Sequence, residues 1–285
     1  MMTTDLTTLV SAEQLRALPG SGWPVVLIDT SFDLADVAAG ERSWREGHVP
    51  GSLYLHLDRD LSGPKTGTNG RHPLPARELF AATLGRCGIT PQTQVIAFDR
   101  QGGMYAARLW WMLRWMGHSA AAVLDGGVAA WVAAGGTLVT ESGTPATAPP
   151  YPERPSLGAT ISADALAARL GRARLIDARA GERFRGEVEP LDNAAGHIPG
   201  ALNRFFKDNL DASSGRFKPA AQLRSEFAPL LGPAGAADVV HQCGSGVTAC
   251  HNLLAMEHAG LAGSVLYAGS WSEWSADPAR PVARG

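Results

Sequence analysis

The chain alternates between short apolar runs and longer stretches in which apolar residues have helical spacing. Residues 25–28, 95–98 and 123–124 have the length and β-branched character of buried strands. Residues 106–116 and 249–258 repeat apolar residues at helical intervals, which predicts helices. Strands that alternate with helices are typical of an α/β fold with a mainly parallel central sheet.

The same series of segments occurs twice in the chain, in the same order. In each half a serine suited to cap a helix precedes an acidic residue, and the apolar run and the turns that follow also match. The four matching pairs, at offsets of 142 to 151 residues, are Val10-Ser11-Ala12-Glu13 with Ile161-Ser162-Ala163-Asp164, Leu27-Ile28-Asp29 with Leu175-Ile176-Asp177, Gly47-His48-Val49-Pro50-Gly51 with Gly196-His197-Ile198-Pro199-Gly200, and Val123-Leu124-Asp125-Gly126-Gly127 with Val265-Leu266-Tyr267-Ala268-Gly269. Such an offset is too long for a solenoid repeat and predicts two tandem copies of one domain.

A proline-rich segment joins the two halves. Residues 141–155 contain five prolines and no apolar periodicity, which predicts an extended linker. We therefore expect a first domain at residues 1–140, a linker at 141–156 and a second domain at 157–285, each domain large enough to have its own core.

The second half contains the strongest candidate for a catalytic site. It is a glycine-containing run between a strand-like segment, 237–242, and a helical one, 248–258. A loop that enters a helix directs unpaired backbone N–H groups to one point, where the helix dipole also favours negative charge, so we expect a thiolate or persulfide to be stabilised there. The run is Cys243-Gly244-Ser245-Gly246-Val247-Thr248.

The composition of this loop suits an anionic sulfur. Gly244 and Gly246 let the backbone curl around the sulfur, while Ser245 and Thr248 offer hydroxyl donors. The alternative is an inert buried cysteine on a glycine turn. Phosphatase chemistry has little support, because cysteine-based phosphatases close such a loop with an arginine and this chain has Ala249 there.

The loop resembles the active-site loop of the 3-mercaptopyruvate sulfurtransferases, the sister group of the thiosulfate sulfurtransferases called rhodaneses. The resemblance covers nearly the whole chain and implies two tandem rhodanese-like domains, each a mainly parallel central sheet flanked by helices. It also implies that Cys243 carries a sulfane sulfur. Loops of thiosulfate-preferring members have basic residues after the cysteine, whereas this loop is uncharged, as in mercaptopyruvate-preferring members.

The first half has lost the nucleophile. Counting on from the matched segments, Asp99 falls where Cys243 falls in the second half. A carboxylate cannot form a persulfide, so we expect the first domain to be non-catalytic, and the amino-terminal domain of the resembled family likewise has Asp there and shapes the cleft. Because the second half keeps its cysteine, the competing interpretation of the chain as a mere docking module is disfavoured.

Several arginines are candidates for binding the donor. The resemblance implies an anion-binding role for Arg183, whose guanidinium would hold a carboxylate bidentately. Arg179 is expected to pair with a carboxylate in a structural role, and Arg185 is equally well explained as a solvated surface residue. Family members have a second arginine after a Glu-Pro step, but this chain reads Glu189-Pro-Leu-Asp-Asn193. Either mercaptopyruvate binds more weakly, or an arginine from elsewhere, such as Arg71, substitutes.

The polar region around residues 58–75 has two further candidates. The resemblance implies that Asp60 and His72 form a proton relay with Ser245, which protonates the departing enolate of pyruvate. The alternative is an ordinary surface loop. His48 and His197 occur in both halves although only one half has the cysteine, so we expect them to hold the turns that follow them.

Composition limits the remaining possibilities. A formal net charge of −2 and a pI near 6.4 give no support to nucleic-acid binding. The chain lacks a signal-like start and any run of about 18 apolar residues, so we expect a cytoplasmic protein without membrane contact. Cys87, Cys243 and Cys250 have no Cys-x-x-Cys spacing, which argues against a disulfide framework or a zinc site. Cys250 is either a resolving thiol or an inert core cysteine.

These features predict a sulfurtransferase that moves a sulfane sulfur from 3-mercaptopyruvate through a Cys243 persulfide. On the family resemblance, the acceptor is a small thiol, cyanide or a thioredoxin-like protein. Two alternatives remain open: thiosulfate as the donor, and a carrier that receives its sulfur from another protein. No metal or organic cofactor is expected.

Overall fold

The computed structural model describes residues 5–18, 22, 24–141, 143, 146–232 and 235–285. They fall into two compact units. The first comprises residues up to 62, residues 75–157 and residues 214–216, and the second comprises residues 63–74, 158–213 and 217–285. Of the predicted linker, Ser142, Thr144 and Pro145 lie outside the described residues.

The first unit is a five-stranded parallel sheet flanked by helices. Its strands, β1 to β5, are Leu9–Val10, Val25–Asp29, Leu53–Tyr54, Gln94–Phe98 and Ala121–Leu124. Its helices, α1 to α6, are Ala12–Ala17, Ala39–Glu46, Leu57–Asp60, Arg77–Arg86, Ala106–Trp115 and Gly127–Ala133. The order across the sheet is β1-β5-β4-β2-β3.

The second unit repeats this architecture. Its strands, β6 to β10, are Ala159–Thr160, Arg174–Asp177, Leu202–Asn203, Val239–Gln242 and Val265–Leu266. Its α-helices, α7 to α11, are Ala163–Ala167, Gly181–Arg185, Ala220–Leu231, Ala249–His258 and Ser270–Trp274, and two 3-10 helices occupy Phe206–Asn209 and Ala236–Asp238. The parallel order β6-β10-β9-β7-β8 is that of the first sheet with each strand replaced by its repeat. The predicted α/β fold and repeat are confirmed.

The central strands β4 and β9 are buried along their whole length. A parallel strand covered by helices on both faces is expected to be continuously apolar, and β4 is so from Val95 onward. Strand β9 instead ends in His241 and Gln242. Burial lowers the pKa of His241 to about 3, so its ring is neutral, and Nε2 lies 3.0 Å from Met256 Sδ. The strand begins at Val239 rather than at 237, because residues 236–238 form a 3-10 turn.

Matching serines begin the first helix of each unit. Ser11 Oγ accepts the Gln14 N–H at 3.2 Å, and Gln14 Oε1 accepts the Ser11 N–H at 2.9 Å, which completes a capping box. Ser162 Oγ accepts the Ala165 N–H at 3.2 Å. The predicted helix starts are confirmed.

His48 and His197 have equivalent structural roles, as predicted. His48 Nδ1 lies 2.8 Å from the Trp44 carbonyl oxygen, and the two rings stack. His197 Nδ1 lies 2.8 Å from the Phe184 carbonyl oxygen, again with stacked rings. Each imidazole therefore ties the preceding helix to the turn that follows the histidine.

The described residues of the predicted linker form neither helix nor strand, and they belong to the first unit. Tyr151 is buried and donates its N–H to the Ala81 carbonyl at 3.0 Å. Ala148 N–H donates to the Gly85 carbonyl at 2.8 Å. The described part of this segment is therefore held at Ala148 and Tyr151 rather than being a free spacer.

Helices in the described part of the chain are short, and the longest, α9, has 12 residues. None of them is long and apolar enough to cross a membrane.

Candidate active site

Cys243 directly follows the central strand β9 and is buried. Its Sγ accepts the Gly246 N–H at 3.2 Å, so the loop curls back onto the sulfur before α10 begins at Ala249. Gly246 has φ +78°, and a Cβ atom there would collide with the Ala268 carbonyl. The tight turn around the sulfur therefore depends on glycine at this position.

The first residues of α11 form hydrogen bonds to the backbone of this loop. Ser270 Oγ accepts the Cys243 N–H at 3.1 Å and donates to the Tyr267 carbonyl at 2.9 Å. Trp271 and Ser272 donate their N–H groups to the carbonyls of Cys243 and Gly244, both at 2.9 Å. Ser270 adopts φ +54°, an uncommon value for a residue with a side chain. Sequence analysis did not identify this support, because it depends on which loop lies beside the cysteine.

The polar segment 63–74 belongs to the second unit. The Gly63 N–H donates to the Pro73 carbonyl at 2.8 Å, which closes the segment into a loop. His72 Nδ1 lies 2.7 Å from Ser245 Oγ. The preceding residue, Arg71, donates its N–H to Ser272 Oγ at 3.0 Å. Two consecutive residues of this segment are therefore bonded to the active-site loop or to its support.

Two guanidinium groups border Gly244. A Cβ atom placed on Gly244 would lie 2.9 Å from Arg71 Nη2 and 3.4 Å from Arg183 Nη1. The structure thus brings the predicted Arg183 to the loop, together with Arg71. The uncharged loop sequence is accompanied by two cations from other parts of the chain.

Two acidic residues orient these arginines. Asp192 accepts from Arg71 Nη1 through Oδ1 and from Arg183 Nη2, 3.1 Å away, through Oδ2. Glu189 Oε1 lies 2.6 Å from Arg183 Nη2. Both carboxylates are nearly inaccessible, with side chains 2% and 4% exposed. Burial raises the pKa of Asp192 above its ordinary value, against the opposing charge of Arg71. Sequence analysis considered the positions after Glu189-Pro190 only because they lack the second arginine of the family. It assigned no role to the two acidic residues.

The other two arginines of this region, Arg179 and Arg185, form ion pairs away from the cysteine loop. Arg179 is buried, with Nη2 2.7 Å from Asp177 Oδ2 and 2.8 Å from the Gly196 carbonyl, and its guanidinium lies over the Trp271 ring. Its predicted pairing with a carboxylate is confirmed. Arg185 is half exposed and pairs with Glu187 at 2.7 Å, as a surface residue would.

Asp60 and Cys250 have local partners. Asp60, at the end of α3 in the first unit, accepts the His56 N–H at 2.9 Å and lies 3.3 Å from Arg86 Nη2. Cys250 is buried in α10, and its Sγ donates to the Gly246 carbonyl at 3.3 Å. A part for Asp60 in the relay and a resolving role for Cys250 stay predictions.

In the first unit, Asp99 follows β4 as Cys243 follows β9. Its Oδ1 accepts the N–H groups of Gln101 and Gly103 at 2.8 Å, and its Oδ2 accepts those of Tyr105 and Ala106 at 2.8 and 2.9 Å. Four backbone donors therefore converge on one buried carboxylate. This is the anion-binding geometry expected where a loop enters a helix.

Comparison with known proteins agrees with the fold and the loop. A model of the rhodanese-like domain matches residues 11–134 and again residues 162–277. A Pseudomonas aeruginosa protein described as a probable 3-mercaptopyruvate sulfurtransferase is 46% identical over 282 residues, which cover 97% of this chain and 98% of that protein. Human 3-mercaptopyruvate sulfurtransferase is 36% identical over 275 residues, 92% of this chain and 89% of the human protein.

A solved structure matches as well. SseA from Escherichia coli, described among the 3-mercaptopyruvate sulfotransferases, superposes with a TM-score of 0.76 at 29% identity, covering 94% of this chain and all of SseA. Two matched domains, each with the same sheet order, and relatives at this level of identity establish the family that the loop sequence indicated. The chain belongs to the rhodanese family and is a sulfurtransferase with two rhodanese-like domains.

Proposed function

We propose that the chain transfers a sulfane sulfur from 3-mercaptopyruvate to a thiol or cyanide acceptor, with a persulfide on Cys243 as the intermediate. The observation that carries the proposal is the position of Cys243 Sγ, which accepts the Gly246 N–H at 3.2 Å while the next residue, Gly244, borders two guanidinium groups. Backbone donors favour an anionic sulfur, and the arginines suit a donor that has a carboxylate.

In the first step the Cys243 thiolate attacks the sulfur of 3-mercaptopyruvate. An S–S bond forms as the C–S bond breaks, and the bonding electron pair leaves with the carbon as the enolate of pyruvate. The enolate takes up one proton and departs as pyruvate, while the donor's thiol proton is lost from the new persulfide. Covalent catalysis of this kind divides the transfer into two easier steps.

Ser245 and His72 are the groups that we assign to the proton. Ser245 belongs to the loop that holds the sulfur, and its Oγ lies 2.7 Å from His72 Nδ1. A hydroxyl that is hydrogen-bonded to an imidazole can donate a proton to a leaving group as a general acid, and it then regains a proton from the imidazole. Asp60 remains the predicted third member of this relay.

In the second step the acceptor attacks the outer sulfur of the persulfide, and the electron pair of the S–S bond returns to Cys243. Cyanide leaves as thiocyanate, and a thiol leaves as a persulfide. A dithiol of the thioredoxin type then forms its own disulfide and releases the sulfur as sulfide. A cytoplasmic location, where such dithiols are kept reduced, stays a prediction from the sequence.

The repeat supports the persulfide assignment. In the first unit the corresponding loop directs four backbone N–H groups to the Asp99 carboxylate. A carboxylate and a persulfide anion both require donors without a competing acceptor. The same strand, loop and helix order in the second unit therefore suits a negative charge on Cys243.

Thiosulfate is the second candidate donor. Arg71 and Arg183 supply cations that the loop sequence lacks, and a compact dianion needs such charge. Sulfite would depart with the electron pair of the broken S–S bond, and it needs no proton from Ser245.

The test is a comparison of kcat/KM for 3-mercaptopyruvate and thiosulfate on the purified chain, with cyanide as acceptor and thiocyanate as the measured product. The intact mass of the protein is recorded after each donor is added without acceptor. We expect a preference for mercaptopyruvate and the gain of one sulfur atom. A preference for thiosulfate would mean that thiosulfate, and not 3-mercaptopyruvate, is the sulfur donor. If neither donor gives turnover or a mass gain, the proposal is wrong and a protein-fed carrier is favoured.

A further inference from the structure

Ser270, which bonds to the backbone of Cys243, has an unusual backbone conformation. Among the residues that the structure describes, it is the only one other than glycine with a positive φ, +54°. A side chain in this conformation is strained, because its Cβ atom crowds a neighbouring carbonyl. Such strain persists only where the surrounding structure enforces it, and it is concentrated at functional sites. The serine at this position therefore has to be explained by what its side chain does.

The first unit contains the same turn beside Asp99. Val128 donates its N–H to the Asp99 carbonyl at 3.2 Å, and Trp271 donates its N–H to the Cys243 carbonyl at 2.9 Å. Because Asp99 follows β4 as Cys243 follows β9, the two bonds are equivalent. The residues that directly precede Val128 and Trp271 therefore occupy corresponding positions.

Those two residues are Gly127 and Ser270. Their φ values are nearly equal, +56° and +54°. A Cβ atom on Gly127 would collide with the Asp99 carbonyl. Glycine adopts such a conformation without strain. The turn is thus unstrained in the unit that has an aspartate after its central strand, and a side chain occupies it only in the unit that has the cysteine.

The hydroxyl of Ser270 is fixed in direction by two hydrogen bonds. It donates to the Tyr267 carbonyl at 2.9 Å, so its lone pairs are available to the Cys243 N–H, 3.1 Å from Oγ. A hydroxyl has one proton to donate, and this one is already used. The Tyr267 N–H in turn donates to the carbonyl of His241 in β9 at 2.9 Å. The Cys243 N–H is therefore connected to the central sheet through a hydroxyl of fixed orientation.

The start of α11 holds the peptide groups on both sides of the Cys243 Cα atom. The N–H of the first is accepted by Ser270 Oγ, and the carbonyl of the second accepts the Trp271 N–H. Because peptide groups are planar, fixing both of them fixes φ and ψ of Cys243. Its Cβ atom then has one position, and Sγ can move only by rotation about χ1. Sγ is in this way directed to the Gly246 N–H, 3.2 Å away.

We propose that Ser270 is a positioning residue of the sulfur transfer: its hydroxyl fixes the backbone of Cys243 so that Sγ, and then the outer sulfur of the persulfide, faces the backbone donors of the loop. This inference rests on the proposed function, because it assigns Ser270 a role in forming and holding the Cys243 persulfide. Ser270 acts through the backbone of Cys243 and does not touch the donor. Asp99 needs no such residue, because four backbone N–H groups already fix its carboxylate.

The test compares two variants that lose the same hydroxyl but differ in backbone strain. Ser270→Ala keeps the strained Cβ atom, whereas Ser270→Gly installs the residue that the first unit has in this turn. Both leave the buried Cys243 N–H without its acceptor. Because glycine takes a positive φ without a clash, urea denaturation should give a higher midpoint for Ser270→Gly than for Ser270→Ala.

Turnover should depend on the hydroxyl and not on the stability. We expect kcat with 3-mercaptopyruvate and with thiosulfate to fall about 10- to 100-fold in both variants, because displacing a reacting atom by about 1 Å has effects of this size. KM should change little, since neither variant removes a charge that could bind the donor. A wild-type kcat in Ser270→Gly would mean that Ser270 serves only the fold, and would overturn the proposal.

Ser275→Ala is the matched control. Ser275 follows α11 and is buried, and its hydroxyl has no hydrogen-bond partner among the described residues. Its replacement should leave kcat and the urea midpoint close to those of wild type. A fall in kcat as large as that of the Ser270 variants would show that removal of any buried hydroxyl near α11 lowers turnover, and would contradict the role of Ser270.

A measurement that needs no turnover separates this inference from the proposed reaction. Hydrogen–deuterium exchange, followed by mass spectrometry, reports how firmly backbone amides are held. We expect peptides that span residues 243–248 to exchange about 10-fold faster in Ser270→Ala than in wild type, the effect of one lost hydrogen bond, and peptides that span residues 99–106 to be unchanged. Equal exchange would overturn the role of Ser270 even in an active enzyme.

Failure of the proposed function would give a different result. Wild type would then form no thiocyanate from either donor, and the exchange rates would still decide whether Ser270 fixes the loop. Circular dichroism confirms that each variant is folded, and Ser270→Gly supplies the answer if Ser270→Ala is not.

Discussion

His72 Nδ1 and Ser245 Oγ lie 2.7 Å apart, although the two residues are separated by 173 positions in the chain. The bond connects a loop of polar residues to the loop that holds the cysteine. Because both side chains are buried, the proton that they share is shielded from bulk water. A pair of this kind suits transfer of a proton to one particular leaving group.

Ser245→Ala should therefore affect the two candidate donors differently. Pyruvate leaves as an enolate that requires a proton, whereas sulfite leaves without one. We expect kcat with 3-mercaptopyruvate to fall about 100-fold, the usual size of a general-acid contribution, and kcat with thiosulfate to change little. His72→Asn should give the same donor-dependent loss, and the double variant should lose no more than either single one, because the two groups act as a unit.

Steady-state kinetics with both donors check this prediction. Ser225→Ala, an exposed serine of α9, is the matched control and should retain both activities. If Ser245→Ala lowers both activities equally, Ser245 stabilises the sulfur or the loop and moves no proton.

A different prediction concerns the stability of the first unit. Asp99→Asn replaces one carboxylate oxygen by an NH2 group, so two of the four backbone N–H groups that converge on Asp99 would face a donor. The loss of charge-assisted bonds and the two unsatisfied donors should lower the free energy of unfolding by about 3 kcal/mol. Urea denaturation of the full chain, followed by tryptophan fluorescence, measures the shift.

Asp36→Asn is the control for this experiment. Asp36 is half exposed and pairs with Arg42 on the surface, so its replacement should cost less than about 1 kcal/mol. A shift in Asp99→Asn as small as that of the control would mean that the backbone donors are satisfied without the carboxylate.

Much of the fold could be predicted from the sequence because it depends on local patterns that occur twice. The serine caps, the apolar central strands and the histidine turns each follow from residues close to one another in the chain. Asp99 at the position of the nucleophile followed from the same repeat. Strand β9 was the least regular of these elements, because its polar His241 and Gln242 are buried and its start is delayed by a 3-10 turn.

The surroundings of the cysteine were less predictable, since they come from distant segments. That Arg71 lies beside Gly244 depends on how the loop of residues 63–74 packs in the second unit. The roles of Asp192 and Ser270 likewise depend on which side chains face them. The family resemblance, rather than residue type or spacing, identified His72 as a candidate, and its bond to a residue 173 positions away has no local sequence signal.

The two cysteines of the loop region should differ sharply in their importance. Cys243→Ser should abolish turnover with every donor, because an alkoxide cannot form a persulfide. Cys250→Ser should retain most activity, because a serine hydroxyl can donate to the Gly246 carbonyl as the Cys250 thiol does. Turnover and the intact mass after donor addition measure both effects. Loss of activity in Cys250→Ser with retention in Cys243→Ser would mean that the nucleophile has been wrongly assigned.

The buried His241 should make the stability of the chain depend on pH. Burial lowers its pKa from an ordinary value of 6.5 to about 3, so between these values the unfolded chain binds a proton that the folded chain excludes. Stability is therefore complete above pH 6.5 and falls as the pH is lowered, by at most about 1.4 kcal/mol per pH unit for this one group. His241→Leu, which keeps the strand apolar, should make the free energy of unfolding less dependent on pH.

Urea denaturation of wild type and His241→Leu at intervals from pH 7 to pH 5 tests this expectation. Against the opposing effect of burial, hydrogen bonds from Arg204, Gln222 and Lys218 lower the pKa of Glu226 from 4.5 to about 2, so its effect on stability begins only below this range. Burial also lowers the pKa of His118, but that residue is present in both proteins and cancels in the comparison. Equal slopes for the two proteins would mean that His241 becomes protonated in the folded state within this range, through a local opening around Met256.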